Sequence, residues 1–137
     1  MDVRFELFVD DASRSVAFYR DVLGFVEQQG YGNYHPMKRG SVVIGIGEQR
    51  DLAGHHYFQP DIQGSRKGLG VEIVLDVQDV AAEYECIQKA GYAIDEQLKA
   101  QEWGLTDFRL VDPDGYYLRI TSGHQVRPPV TVHRAIH

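Results

Sequence analysis

The chain has 137 residues, 43% of them hydrophobic and 25% charged, the balance of one ordinary globular domain with a core of its own. Its formal net charge of −6 and the lack of a basic patch argue against nucleic acid, since nothing is placed to neutralise phosphates. There is no membrane-length apolar run and no basic-then-apolar leader, and the one cysteine, Cys86, excludes an internal disulfide; a cytoplasmic, reducing setting is expected, with no membrane partner.

Residues 3–9 (VRFELFV) alternate as a strand does, with Arg4, Glu6 and Phe8 on one face and Val3, Phe5, Leu7 and Val9 on the other. Asp10 and Asp11 then open a helix. Ala12, Val16, Tyr19 and Leu23 recur at helical spacing, and Gly24 ends it as a C-terminal cap. Residues 25–29 form a short strand, and 31–38 (YGNYHPMK) an aromatic, turn-rich segment. Residues 41–47 (SVVIGIG) are a strongly apolar strand. From 48 to 68 no periodicity survives. This reads as a long loop, of the kind that in compact domains is functional or mobile.

The order then restarts. Residues 71–77 (VEIVLDV) make a strand, and Asp79 opens a helix with Val80, Tyr84, Ile87 and Gly91 on one stripe. Cys86 lies in that helix and reads as a small buried hydrophobe, not a nucleophile. Residues 92–98 are a weak strand. A hairpin follows, with Leu105, Phe108 and Leu110 in its first arm, the turn Asp112-Pro113-Asp114-Gly115, and a return arm over 116–121. Val9 and Val77, and Asp11 and Asp79, are each separated by 68 positions. Two copies of strand, helix and strands amount to an internal duplication, divided at about 3–66 and 67–122. Either half alone exposes an apolar sheet face, so the halves pack together or against another chain. Residues 123–137 read as a tail, in which 130–132 are able to add an edge strand to a partner.

Trp103, the one tryptophan, stands before Gly104 at the mouth of the hairpin. It is either a platform for a ligand ring or a cap on the core. Tyr31, Tyr34, His35, Tyr57 and Phe58 are available as the opposite side of a ring-binding slot, Tyr31 and Tyr34 being the least core-like because they sit in a Gly/Asn-rich turn.

At these residues a family comes into view. Paired βαβββ modules, with FYRDVLGF (18–25) in the first half and WGLTDFRLVDPDGYYLRI (103–120) in the second, resemble the vicinal oxygen chelate superfamily. That group holds glyoxalase I, extradiol dioxygenases, fosfomycin-resistance enzymes and bleomycin-resistance proteins. The resemblance implies an α+β fold, a single domain over 1–122 whose two modules form curved mixed sheets, and a dimer, with modules paired within a chain or swapped between chains. In the metal-dependent members a His or Glu on each of four strands cups a divalent cation. Matched one at a time, those places fall on Arg4, near Gly45, on Glu72 and on Arg119. Only Glu72 is able to bind a metal, and two guanidiniums repel a cation, so no metal and no cofactor is expected. The six histidines do not restore a site: His35, His55 and His56 fall in loops and His124, His133 and His137 in the tail.

The cup is then ionic, with Arg4, Glu6, Glu72 and Arg119 facing one another and Tyr117 and Asp76 nearby. These are either salt bridges filling a vestigial site or a polar recognition patch. The metal-free branch it most resembles, the bleomycin-resistance type, implies a homodimer that sequesters a drug, a planar aromatic antibiotic or related small molecule. In that branch a tryptophan before glycine stacks on flat rings. Trp103-Gly104 matches it, and Asp107-Phe108-Arg109 follows in step. The expectation is thus a ligand-binding protein with no catalytic residues. The alternative is a metal-dependent lyase, isomerase or dioxygenase using Glu72 with unrecognised ligands, or Glu72 or Glu6 as a metal-free acid or base.

Overall fold

The structure, a computed structural model, describes residues 1–59 and 66–122. Strand β1 (Phe5–Val9) leads into helix α1 (Ala12–Ala17), then β2 (Val26–Glu27), β3 (His35–Arg39) and β4 (Val42–Glu48). The second half repeats this with β5 (Glu72–Val77), α2 (Val80–Lys89), β6 (Glu96–Ala100), β7 (Thr106–Val111) and β8 (Tyr117–Ser122). Each half is a four-stranded mixed sheet, ordered β1-β4-β3-β2 and β5-β8-β7-β6. In both, the first strand runs parallel to the last and forms a sheet edge. The α+β class and the two βαβββ modules are as the duplication predicts.

The same residue type starts both helices. Asp11 accepts from the Ser13 and Arg14 amides and Asp79 from the Ala82 amide, so each satisfies amides that a helix start leaves without partners. Gly24 and Gly91 close both at positive φ, 71° and 75°. The first helix is not regular throughout. After Ala17 it widens into a π turn, Phe18–Val22, where two consecutive rings, Phe18 and Tyr19, are both buried.

Three local expectations are corrected. The turn-rich reading of 31–38 misses β3, because Met37 is carried into the core opposite Ile44 while Pro36 sits in the strand opposite Gly45. The strand expected at 92–98 starts later, at Glu96. Tyr92 and Ile94 pack on the core from the connection instead, and a register shift separates Glu96 from Lys99. Cys86 is exposed, not buried, since Val80 and Ile87 set the inward stripe of α2. The loop after β4 begins with a 3₁₀ turn, Gln49–Asp51. The tail at 123–137, with its edge-strand reading and its three histidines, lies outside the described residues, as do positions 60–65.

One hydrophobic core spans both halves. Leu7 and Val9, Ile73 and Leu75, Phe108 and Leu110, and Leu118 and Ile120 alternate inward from their strands to meet Val16, Tyr19 and Ile87. The seam between modules is tied by polar groups at the β7–β8 turn. Tyr19 Oη donates to Asp112 Oδ2 at 2.7 Å, Ser15 Oγ to Asp114 Oδ2 at 3.1 Å, and the Asp10 amide to Asp114 Oδ1 at 2.9 Å. Lys67, almost fully buried, places Nζ 2.8 Å from Asp10 and 3.5 Å from Asp114. Gly115, at φ 97°, lies so close under Lys67 that a Cβ there would meet the Lys67 amide nitrogen at 3.1 Å.

Candidate functional site

The site is built on the face of the second sheet that points away from the core. Two-residue alternation puts Glu72, Val74 and Asp76 of β5 on this face while Ile73 and Leu75 turn inward. Register then fixes the rows. Glu72 stands opposite Tyr117 of β8, Val74 opposite Arg119, and Asp76 opposite Thr121. On β7, Arg109 lies opposite Arg119 and Asp107 opposite Thr121.

Two arginines side by side in the middle row require acids around them. Glu72 serves both: its Oε1 is 2.9 Å from Arg119 Nε and its Oε2 3.4 Å from Arg109 Nε. Glu96 takes Arg109 Nη1 at 2.7 Å. Asp107, with its side chain 1% exposed, holds Oδ2 3.8 Å from Arg119 Nη1. The Arg119 Nε contact is an ion pair without hydrogen-bond alignment, and Asp107 Oδ2 likewise has no hydrogen bond. Asp107 Oδ1 accepts from Gln101 Nε2 at 2.7 Å. Tyr117 turns its hydroxyl to Asp95 at 2.6 Å, and burial first, with that carboxylate, pushes the phenol up to about 12.

Trp103 is positioned by the turn between β6 and β7. The Gln101 amide donates to the Leu105 carbonyl at 2.7 Å, the Gly104 amide to the Gln101 carbonyl at 3.0 Å, and Gly104 takes φ 90°. That turn carries the indole over Arg119, whose Cζ is 5.7 Å from the ring centroid. The ring stays 54% exposed. Below it lies a cavity of 460 Å³ lined by Val74, Asp76, Leu105, Arg119 and Thr121, within the size range of small-molecule sites. Trp103 therefore does not cap the core.

The corresponding face of the first sheet is filled from within. Tyr34 lays its ring across Gly45 and Gly47 and donates to Glu6 Oε1 at 2.7 Å. Arg4 Nε pairs with the same Glu6 oxygen at 2.6 Å. Burial first, and Glu6 next, push the Tyr34 phenol up to about 12. A side chain at Gly45 would collide with the Tyr34 hydroxyl and the Glu6 carboxylate. Phe58 and His56 pack on Phe8, at 5.5 and 5.4 Å between ring centroids. Tyr57 is 90% exposed, and Tyr31 stacks at 5.8 Å on Tyr34. His35 is taken up by Glu27 and Asn33, at 2.8 and 3.1 Å.

The expected residues thus fall into two groups. Trp103, Gly104, Asp107, Glu72, Tyr117 and Arg119 gather on the second sheet. Arg4, Glu6, Tyr31, Tyr34, His35, Tyr57 and Phe58 gather on or beside the first. Among the described residues no hydrogen bond, ion pair or ring contact joins the two groups. Sequence reasoning named none of Val74, Gln101, Leu105, Arg109 and Thr121 as a binding residue, although Leu105 and Arg109 fell within the hairpin motif. The signal for Val74 was present: an apolar residue flanked at two-residue spacing by Glu72 and Asp76, on the face opposite the core.

The four strand places that hold a divalent cation in metal-dependent relatives do not fit one here. Arg4 and Arg119 bring positive charge, the space over Gly45 is taken by Tyr34 and Glu6, and Glu72 is already shared by two guanidiniums. Among the described residues no group of three or more His, Cys, Asp or Glu side chains is placed to hold a metal ion, and no helix is long and apolar enough to cross a membrane.

Solved structures share this fold over nearly the whole chain. A protein of unknown function from Agrobacterium tumefaciens str. C58 is 26% identical, with a TM-score of 0.72 over 90% of this chain and 94% of that one. A lactoylglutathione lyase from Agrobacterium tumefaciens is 18% identical, with a TM-score of 0.70 over 90% and 93%. A glyoxalase/bleomycin resistance protein/dioxygenase from Nocardioides is 14% identical, with a TM-score of 0.72 over 97% and 91%. No curated protein matches the chain. The family pattern described as Glyoxalase/Bleomycin resistance protein/Dioxygenase superfamily matches residues 3–120, and the chain therefore belongs to that superfamily.

Proposed function

We propose that the protein binds a flat aromatic small molecule, an antibiotic or related natural product, against Trp103 and sequesters it without a metal ion or a chemical step. One observation carries this reading: a half-exposed indole roofs a 460 Å³ cavity whose floor includes the apolar side chains of Val74 and Leu105. A flat ring entering there buries apolar area on both faces and gains roughly 0.5–1.5 kcal/mol more from ring-on-ring geometry. The enzyme alternative has less support, because Glu72, its expected metal ligand or base, is held between Arg109 and Arg119.

A homodimer in the cytoplasm belongs to the same reading. Its support is the division of the polar groups between two sheet faces, with no hydrogen bond, ion pair or ring contact between them among the described residues, and the exposure of Val3, Leu69 and Val71 beside the edge strands β1 and β5. Light scattering at micromolar protein is expected to give twice the 15.5 kDa chain mass; a monomer mass removes this part of the proposal.

The ring reading is tested by titrating planar antibiotics, bleomycin first, with chelator present throughout. Because Trp103 is the lone tryptophan, saturable quenching reports on this cavity alone. Calorimetry on Trp103→Ala is expected to show binding weakened about tenfold, the loss of one well-packed aromatic face. Unchanged affinity in that variant sinks the stacking claim, and binding that requires metal replaces it with the enzyme reading.

A further inference from the structure

We infer that the cavity under Trp103 selects flat aromatic cations, rings bearing a protonated nitrogen, and that the Asp76 carboxylate is their counter-ion. The inference rests on the ring-binding reading above and adds the charge of the ligand and the residue that reads it.

The lining supplies a ring wall in Trp103, an apolar floor in Val74 and Leu105, and three polar side chains, Asp76, Arg119 and Thr121. Two of the three are already committed. The Arg119 guanidinium faces Glu72 at 2.9 Å and Asp107 at 3.8 Å and lies under the indole. The Thr121 hydroxyl donates to the Thr106 carbonyl at 3.2 Å. Asp76 is different. Among the described residues its carboxylate has no hydrogen bond and no ion pair, and it is exposed to the cavity.

The register explains why. Arg119 stands opposite Val74, so it is able to lean towards Glu72 on one diagonal or towards Asp76 on the other. Glu72 and Asp107 draw it away from Asp76. The strand neighbour directly opposite Asp76 is Thr121, which carries no charge, and among the described residues β5 is an edge, with no further strand of its sheet adding a cation from the other side. One uncompensated negative charge therefore lines a cavity whose other charge is neutralised. A neutral ring that fills the cavity leaves this carboxylate without a partner. An anionic ring meets repulsion, while a ring with a protonated nitrogen supplies the missing charge beside a surface that excludes part of the water. A single carboxylate with no second donor does not make a divalent-metal site, which leaves an organic cation as the matching chemistry.

Three probes of nearly equal outline separate these cases: 9-aminoacridine, a flat cation; acridone, neutral; and acridine-9-carboxylate, an anion. Their binding to the full chain is measured by calorimetry near neutral pH. The cation is expected to bind about twofold to fivefold more tightly than acridone, the range of an exposed ion pair, with the anion weakest. Asp76→Asn is expected to abolish that margin and leave acridone binding within about twofold. Acridone binding with no advantage for the cation, or an advantage that survives Asp76→Asn, overturns the inference and leaves the ring reading in place. Failure of all three to bind overturns both.

Discussion

Gly45 shows how one residue decides what this scaffold can hold. It lies on β4 near the place matched to a metal ligand of the metal-dependent members, and here the absent side chain is the space that Tyr34 enters to reach Glu6. A Cβ at Gly45 would collide with the Tyr34 hydroxyl, whereas one at Gly47 would reach the ring at an ordinary 4.0 Å. Gly45 has no positive φ, so the demand is for room and not for backbone freedom. Gly45→Ala is therefore expected to expel the Tyr34 ring, break its hydrogen bond to Glu6, and cost about 1–3 kcal/mol of stability, the usual range for overpacking a filled site. Urea unfolding reads the stability, and the tyrosine titration gives a second readout: with its partners lost, the Tyr34 phenol returns from about 12 towards its ordinary value of 10.0. A variant as stable as the parent, with the titration unmoved, shows that Tyr34 is not held there.

At the scale of elements, most of the architecture was legible, because local chemistry and tertiary demand agree. Both helices begin at an aspartate and end at a glycine, and both capping pairs do in the structure what their residue types favour. The β7–β8 turn is equally plain. The Gly115 amide donates to the Asp112 carbonyl at 3.1 Å, and Asp112 Oδ1 gathers the Asp114 and Tyr116 amides at 2.9 Å each. Strand β3 was hidden, since a proline and a cluster of turn formers mask a segment whose strand character comes from pairing with β4. The site was legible in part. Alternation along β5 and β8 places Glu72 and Arg119 on one face, and the Trp-Gly pair marks the ring. That Arg109 shares Glu72 follows only from the β7–β8 register, and the filling of Gly45 by Tyr34, eleven positions away in the chain, has no local signal at all. The division of the charged groups into two sets is also invisible to alternation, which assigns faces within a sheet and says nothing of how two sheets are set against each other.

For the whole molecule, the turn Asp112-Pro113-Asp114-Gly115 has a second role that its sequence conceals: it is where the two modules lock. Tyr19 comes from the first module and Asp112 from the second, and their 2.7 Å hydrogen bond lies in the shared core. Burial drives the Tyr19 phenol well above its ordinary value, so at neutral pH it is a proton donor to Asp112. Burial also raises the Asp112 carboxyl, against the opposing pull of hydrogen bonds from Tyr19, Tyr116 and Asp114. The sign of the linkage follows. A carboxyl that holds its proton more tightly when folded contributes stability that is complete below its unfolded value, about 3.9, and is lost as pH rises through the folded one. Asp112→Asn stays neutral throughout and keeps an acceptor for both turn amides, so the stability difference between parent and variant is expected to shift in favour of the variant as pH rises through that window. Asp112→Ala instead strands a buried hydroxyl and two amides, and is expected to cost about 2–4 kcal/mol. Because the lock joins the modules within a single core, that loss is expected to lower the midpoint of one cooperative transition. Calorimetric unfolding in which Asp112→Ala separates into two transitions would show that the halves fold as independent domains, with the seam as a mere contact between them.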